Sequence, residues 1–553
     1  MSKPIQNKLL FCLLIGLFLA QFLFISPKGE FALNDDWVHT DTIKHWVEAG
    51  SFRLMPYAGP TFYVPILYGA ALVKIFGFSF TLLRISTLAI ALISILLLFL
   101  FLVKLTHRPA LAFVGALTLW LNPIFFNLSF TFMTDIPALL FLILSIYFYY
   151  SAFENKSSTF PWKVLDKKWR WFFVGSLFSI IGFYTRQTNI LILIAAGLYA
   201  LKEIKQIHFK NLLLGFGLPL AIGGTIYSYL TIYNLLPQSV GAHTIETIPR
   251  LLGHIKWWLW YTPIYLGLFV LPLTSGWLLA HLRHLKNKML WLSLASFVSA
   301  AVLIRQVYHL QFPYVDNMIS LYGLGPMKSV IAGNLKLLAP SWVWGIITLI
   351  AAASLALLIF ILSKRHNNQE PADARPERGR RVGFIYLFGW LYLIPILVFK
   401  SFDRYFLPLL LVLIIALTQN LKHLKFNYLV AILILIPIGA YNITQTDYYL
   451  KWNQARWELA NSVLKQGVSA EQIDGGYEWD GWNSYWPAAN SGIKNGPKTA
   501  PWWIYQIFTN NTRNYAVSFG PLAGYTVVDM RKIEPSNPNG VLFILQKKAG
   551  EKR

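Results

Sequence analysis

Two adjacent carboxylates, Asp35 and Asp36, stand just beyond the first apolar run, in the stretch Asn34-Asp35-Asp36-Trp37. The run before them, Leu9 to Ile25, is of bilayer-crossing length. Ionisable groups at a membrane face are costly to hold and mark functional sites. A helix N-cap accounts for one acid, and the second adds nothing to that account. A third acid, Asp135, opens a later apolar run in Thr134-Asp135-Ile136-Pro137, where capping ahead of an early proline is the plain alternative. Cations stand at other run ends: Arg186, Arg305, Lys400 and Arg404, the last within Asp403-Arg404-Tyr405-Phe406-Leu407-Pro408. Asp403 is expected to pair with a neighbour. A carboxylate near an attacking hydroxyl, with cations on a departing phosphate, suits group transfer from a phosphate-linked donor. A glycosidase instead needs two acids flanking the scissile bond, which neighbours at one helix start cannot supply.

The elements that must position these groups are membrane helices. Of 553 residues, 56% are hydrophobic and only 13% charged, against about 25% charged in a soluble domain. The net charge of +24 falls in short loops between apolar runs, as orientation signals do, rather than on one nucleic-acid-binding face. Cys12 is the only cysteine, so neither an intrachain disulfide nor a thiolate metal site can form. By the length rule, about thirteen spans are expected, near 9–26, 81–104, 109–126, 135–153, 170–185, 188–201, 211–233, 258–281, 289–304, 341–363, 383–399, 405–421 and 427–444. The first is read as a retained span rather than a cleaved signal.

One set of loops is dense in Lys and Arg, among them Lys104/Arg108, Lys202/Lys205/Lys210, Arg283/Lys286/Lys288 and Lys422/Lys425; these are expected to be cytoplasmic. The alternate set, with Asp35, Asp135, Arg186, Arg305 and Arg404, then faces out, and an odd span count puts the tail outside too. Within loop 27–80, residues 37–49 and 61–76 are expected as two helices lying along the outer interface. Residues 364–382 read as a charged, mobile cytoplasmic linker. The chain divides into a membrane part, 1–445, and a small α/β extracytoplasmic domain, 446–553. In the latter a helix is expected over Trp457–Lys465, with strands at Tyr515–Phe519, Tyr525–Met530 and Val541–Gln546. The aromatic, Gly- and Asn-rich stretch from Gly475 to Trp486 is expected to pack against the membrane part rather than stack on sugars.

The paired acids after span one, the Asp heading a later span and the late Arg-Tyr-x-Leu-Pro motif resemble the polyprenyl-phosphate-dependent GT-C glycosyltransferases. Within that class the likeness is to bacterial relatives of protein O-mannosyltransferases and lipid A aminoarabinose transferases. It covers residues 1–445. It implies an all-α polytopic membrane fold of the GT-C type, in a bacterial plasma membrane. It also implies a polyprenyl-phosphate sugar as co-substrate and an acceptor hydroxyl on a glycan, lipid or protein. Asp35 matches the family's catalytic base, Asp135 its second outer-loop acid, and Arg404 the arginine of its late Arg-Tyr motif, assigned to donor-phosphate or lipid-proximal binding. The family motif is usually Asp-Glu, and Asp36 stands in the Glu position. Whether Asp36, Asp135 and the outer histidines His39, His45, His243 and His309 hold a divalent metal is left open, each His being expected in a solvated or capping role. A transporter or flippase for an anionic or lipid-linked substrate is the alternative, and it calls for mid-span charges and broken helices at the midplane.

Overall fold

The structure, a computed structural model, describes residues 3–57, 62–154, 168–202, 207, 209–236, 248–282, 288–308, 312–315, 317–363, 374–399, 401–533 and 537–548. The linker expected to be mobile lies for the most part outside these residues.

Among the described residues, seven helices are long and apolar enough to cross a membrane: Ile5–Leu23, Phe80–Thr106, Asp135–Glu154, Phe209–Ile232, Ser341–Ser363, Asp403–Leu421 and Tyr428–Leu464. Two helix pairs bend within one apolar run. Pro109–Trp120 meets Pro123–Ser129 at 66°, and Leu251–Phe269 meets Leu271–His281 at 64°. In each pair a proline, Pro123 or Pro272, sits in the first turn of the second helix, where its ring ends the hydrogen-bond ladder of the first. Shorter apolar helices, Trp169–Phe183, Gln187–Lys202, Leu290–Leu303 and Val382–Val398, fill the remaining places where spans were expected.

The first loop begins and ends at one level. Glu30 accepts hydrogen bonds from Ser79 Oγ at 2.7 Å and from the Phe80 N–H at 2.8 Å, at the head of the helix Phe80–Thr106. From the same helix, Arg84 donates to the carbonyls of Pro27 and Phe31, at 2.6 and 3.0 Å. The exit of the first helix and the entry of Phe80–Thr106 therefore share one end of the bundle. Between them lie two helices of 14 residues each, Asp36–Ala49 and Tyr63–Phe76. At 1.5 Å per residue each spans roughly 21 Å, short of the ~30 Å hydrocarbon core. They hold the places expected for two interfacial helices.

The last apolar helix is longer than expected. It runs unbroken from Tyr428 to Leu464, 37 residues. The sequence reading divided the same residues into a span, a domain boundary at 445/446 and a separate helix from Trp457. The residues from Ala440 to Leu464 include neither glycine nor proline, so nothing in the backbone stops the helix there. Beyond it, the strands Ile473–Asp474, Tyr515–Ser518, Val541–Lys547 and Tyr525–Lys532 lie side by side in that order. The first two are parallel and the other pairings antiparallel. The aromatic stretch from Tyr477 is itself a helix, Tyr477–Asn490.

That helix locks the tail onto the first loop. Trp37 is fully buried, with its ring centre 5.8 Å from that of Tyr477, 5.6 Å from Tyr485 and 6.1 Å from Phe508. The aromatics pack, as expected. Beside them, Glu478 accepts from Arg456 Nη1 at 2.7 Å and from the Asn34 N–H at 3.1 Å, and neither charged side chain is exposed. Arg456 also donates to Asn453 at 2.7 Å. Breaking such a pair strands a buried charge, which costs about 3–5 kcal/mol. Glu478→Gln is therefore expected to lower the thermal unfolding midpoint of the detergent-solubilised protein sharply. An unchanged midpoint would show the pair to be idle.

Candidate active site

The site starts at a turn. Asn34 has φ 57°, a left-handed backbone that asparagine tolerates better than most residues. The turn sends the two acids different ways. Asp36 goes inward and is 2% exposed, accepting from the Leu33 N–H at 2.6 Å and the Phe132 N–H at 3.4 Å. Burial pushes its pKa up to about 8, against the pull of Arg84 and the two backbone donors. Its bonds fasten the first loop to the loop before Asp135. Asp35 goes outward and keeps 31% of its side chain exposed. It occupies the N-cap position of Asp36–Ala49 and makes no capping bond, so the cap explanation fails for it.

Asp35 instead meets residues from two distant parts of the chain. Arg404 Nη2 donates to its Oδ2 at 3.0 Å, and the Tyr477 hydroxyl donates to its Oδ1 at 2.8 Å. Arg404 Nη1 also reaches Asn34 Oδ1 at 3.3 Å. The arginine is held from behind. Its neighbour Asp403 is fully buried and accepts from the Met318 and Ile319 N–H groups, at 3.2 and 2.7 Å. Asp403 is thus a backbone anchor rather than half of a side-chain pair.

A second acid–arginine pair stands beside the first. Arg186 is in direct ion contact with Asp135, whose side chain is 3% exposed. Asn189 Nδ2 donates to the Ala138 carbonyl at 2.7 Å, which ties the Arg186 turn to the head of the helix Asp135–Glu154. Tyr405 joins the two pairs: the Arg186 guanidinium lies 4.4 Å from its ring centre and that of Arg404 5.8 Å. Three unpartnered atoms are buried here among the described residues: Asp135 Oδ2, Arg404 Nε and His39 Nδ1.

The other candidates fall elsewhere. Arg305 lies over Gly345 of the helix Ser341–Ser363, where a Cβ would come within 2.0 Å of its guanidinium. Lys400, His243 and His309 lie outside the described residues. His45 is bonded to Ser51 Oγ at 3.1 Å. His39 is neither solvated nor a cap. It is buried, its ring centre 4.5 Å from that of Phe62, and burial lowers its pKa to about 4. Among the described residues no three His, Cys, Asp or Glu side chains gather as a metal ion would require. No step of the chemistry below is assigned to a metal ion.

Sequence reasoning missed Tyr477. It lies 442 positions from Asp35, and an aromatic beside two glycines carries no signal of that meeting.

Residues 64–224 match the family model described as dolichyl-phosphate-mannose-protein mannosyltransferase. The matched segment is under a third of the chain, and with the apolar helices around it the likeness supports a membrane glycosyltransferase of the GT-C type. No curated protein sequence matches the chain. Among solved structures, the chain is similar to ArnT from Cupriavidus metallidurans bound to undecaprenyl phosphate, at 11% identity and a TM-score of 0.42, over 98% of each chain. The same protein in the apo state matches at 12% identity and a TM-score of 0.38, over 96% of this chain and 97% of that one.

Proposed function

We propose that this glycosyltransferase moves a sugar from a polyprenyl-phosphate donor to an acceptor hydroxyl at the outer membrane face, inverting the anomeric centre. The observation that carries the reading is the Asp35–Arg404 contact of 3.0 Å, a candidate base touching a candidate phosphate ligand. The matched family's description names a lipid phosphate carrying a sugar, which agrees with it.

The chemistry follows from that contact. With no donor bound, Arg404 neutralises Asp35. An incoming lipid phosphate offers the guanidinium more oxygens in the planar geometry it prefers. Arg404 turns to the phosphate, helped by Arg186, and the Asp35 carboxylate is freed. The acceptor oxygen attacks the anomeric carbon as its proton passes to Asp35 Oδ. The carbon–oxygen bond to the phosphate breaks, and the electron pair leaves with the phosphate against the two arginines. Asp135 holds Arg186 in place, and Asp36 holds the loops. Arg305 packs on Gly345, so the phosphate contacts are assigned to Arg186 and Arg404. A flippase would need no hydroxyl-side base, and Asp35 is the half-open carboxylate of the group.

Purified protein in vesicles, given radiolabelled polyprenyl-phosphate sugars (mannosyl and pentosyl in parallel) with a membrane-extract acceptor fraction, should move label off the lipid. Label that crosses the bilayer while still on its lipid would mark a flippase instead. The sidedness has its own readout in intact cells. With Cys12 replaced, a cysteine at Ser536 should react with an impermeant thiol reagent and one at Asn367 should not. The reverse pattern would overturn the outward placement.

A further inference from the structure

The Tyr477 hydroxyl is the second partner of Asp35, and the surrounding residues fix it closely. Gly476, with φ 87°, opens the helix Tyr477–Asn490, and a Cβ there would come within 2.7 Å of Arg456 Nη1 and 2.6 Å of the Val330 carbonyl. Only glycine fits that bend. The Tyr477 N–H donates to the same Val330 carbonyl at 2.9 Å. The next residue, Glu478, grips the Asn34 N–H. The tyrosine ring is 3% exposed, with Trp502 at 5.2 Å, Trp37 at 5.8 Å and Phe508 at 6.3 Å between ring centres. A ring caged on three sides cannot swing its hydroxyl away. Packing alone explains the ring; it does not explain a phenol donating into the most open carboxylate of the site.

We infer that Tyr477 is a positioning residue for Asp35, so that the C-terminal part of the chain completes the active site rather than decorating it. The inference rests on the reading of Asp35 as the base. Arg404 binds Oδ2 and Tyr477 binds Oδ1, so the two partners hold the carboxylate by separate oxygens. When Arg404 turns to the donor phosphate, the phenol is the bond that remains. It keeps the carboxylate from rotating and leaves Oδ2 for the acceptor proton.

The test is Tyr477→Phe, which removes one oxygen and keeps the ring. Turnover should fall about tenfold, the equivalent of ~1.4 kcal/mol, with donor KM unchanged. Tyr477→Ala, which also empties the aromatic cage, should in addition lower the unfolding midpoint, whereas Tyr477→Phe should not. A second readout needs no turnover. A cryo-electron-microscopy map of Tyr477→Phe should show the Asp35 carboxylate turned from its wild-type orientation. An unmoved carboxylate, or a Tyr477→Phe protein with wild-type turnover, would overturn the inference. A turned carboxylate in Tyr477→Phe, where the wild type moves no sugar, would leave the inference standing and remove the glycosyltransfer reading of the site alone.

Discussion

Asp35→Asn is expected to give an inserted, folded protein that still binds the lipid donor and turns over about 10²–10⁴-fold more slowly, the usual cost of losing a general base. The fold should survive because Asp35 carries little of it. The side chain is part exposed, makes no cap, and its amide substitute can still accept from one of Arg404 and Tyr477. Asp36→Asn is the matched control. Its amide can keep one of the two backbone bonds that Asp36 now accepts, and Asp36 does not face the arginines. Its loss should be much the milder of the two. Near-normal turnover by Asp35→Asn, or a product that keeps the donor's anomeric configuration, would remove Asp35 from the base role.

Arg404→Ala should act on the other half of the reaction. It removes the ion partner of Asp35 and the side chain offered to the donor phosphate. Truncating one member of a buried, hydrogen-bonded charge pair costs about 2–5 kcal/mol, so kcat/KM for the donor should drop on the order of 10²-fold or more. Arg404→Lys should recover part of this and no more, because a point-like ammonium cannot span Asn34, Asp35 and a phosphate as a planar fork does. The Nε of Arg404 has no partner, and with the second N–H of each Nη it would serve the phosphate on the proposed reading. Arg404→Ala with wild-type donor KM and kcat would reduce this arginine to a packing residue.

The sequence disclosed the helices and half of the site, and each success or failure has a physical cause. Apolar runs of bilayer length are strong local signals, so helices stand at the expected places. Asp35 and Arg404 were legible because charge at a membrane face is rare. Asp36 looked equivalent to Asp35, because neighbours in sequence differ only through the backbone turn that separates them. The left-handed Asn34 that makes this turn is not visible in composition or periodicity. Arg305 was placed by charge and side alone, and charge does not say which way a helix presents its residues; it packs on Gly345 instead. Tyr477 and Asp403 were out of reach, since their roles depend on backbone groups and side chains brought from far along the chain. The boundary at 445/446 was drawn where hydropathy falls, but a helix ends on backbone signals, and none occurs before Leu464.

That unbroken helix has a kinematic consequence. From Ala440 to Leu464 the joint between the apolar part of this helix and the C-terminal lobe is helical backbone with neither glycine nor proline, so that stretch offers no hinge; Pro437 and Gly439 lie before it. A lobe on a rigid stalk, clamped at Asn34 through Arg456 and Glu478, cannot lift like a lid to admit a substrate from above. A donor whose tail dissolves in the hydrocarbon does not need it to. On the proposed reading, such a molecule would enter laterally, between helices, with its phosphate meeting Arg186 and Arg404 while its tail stays in the lipid.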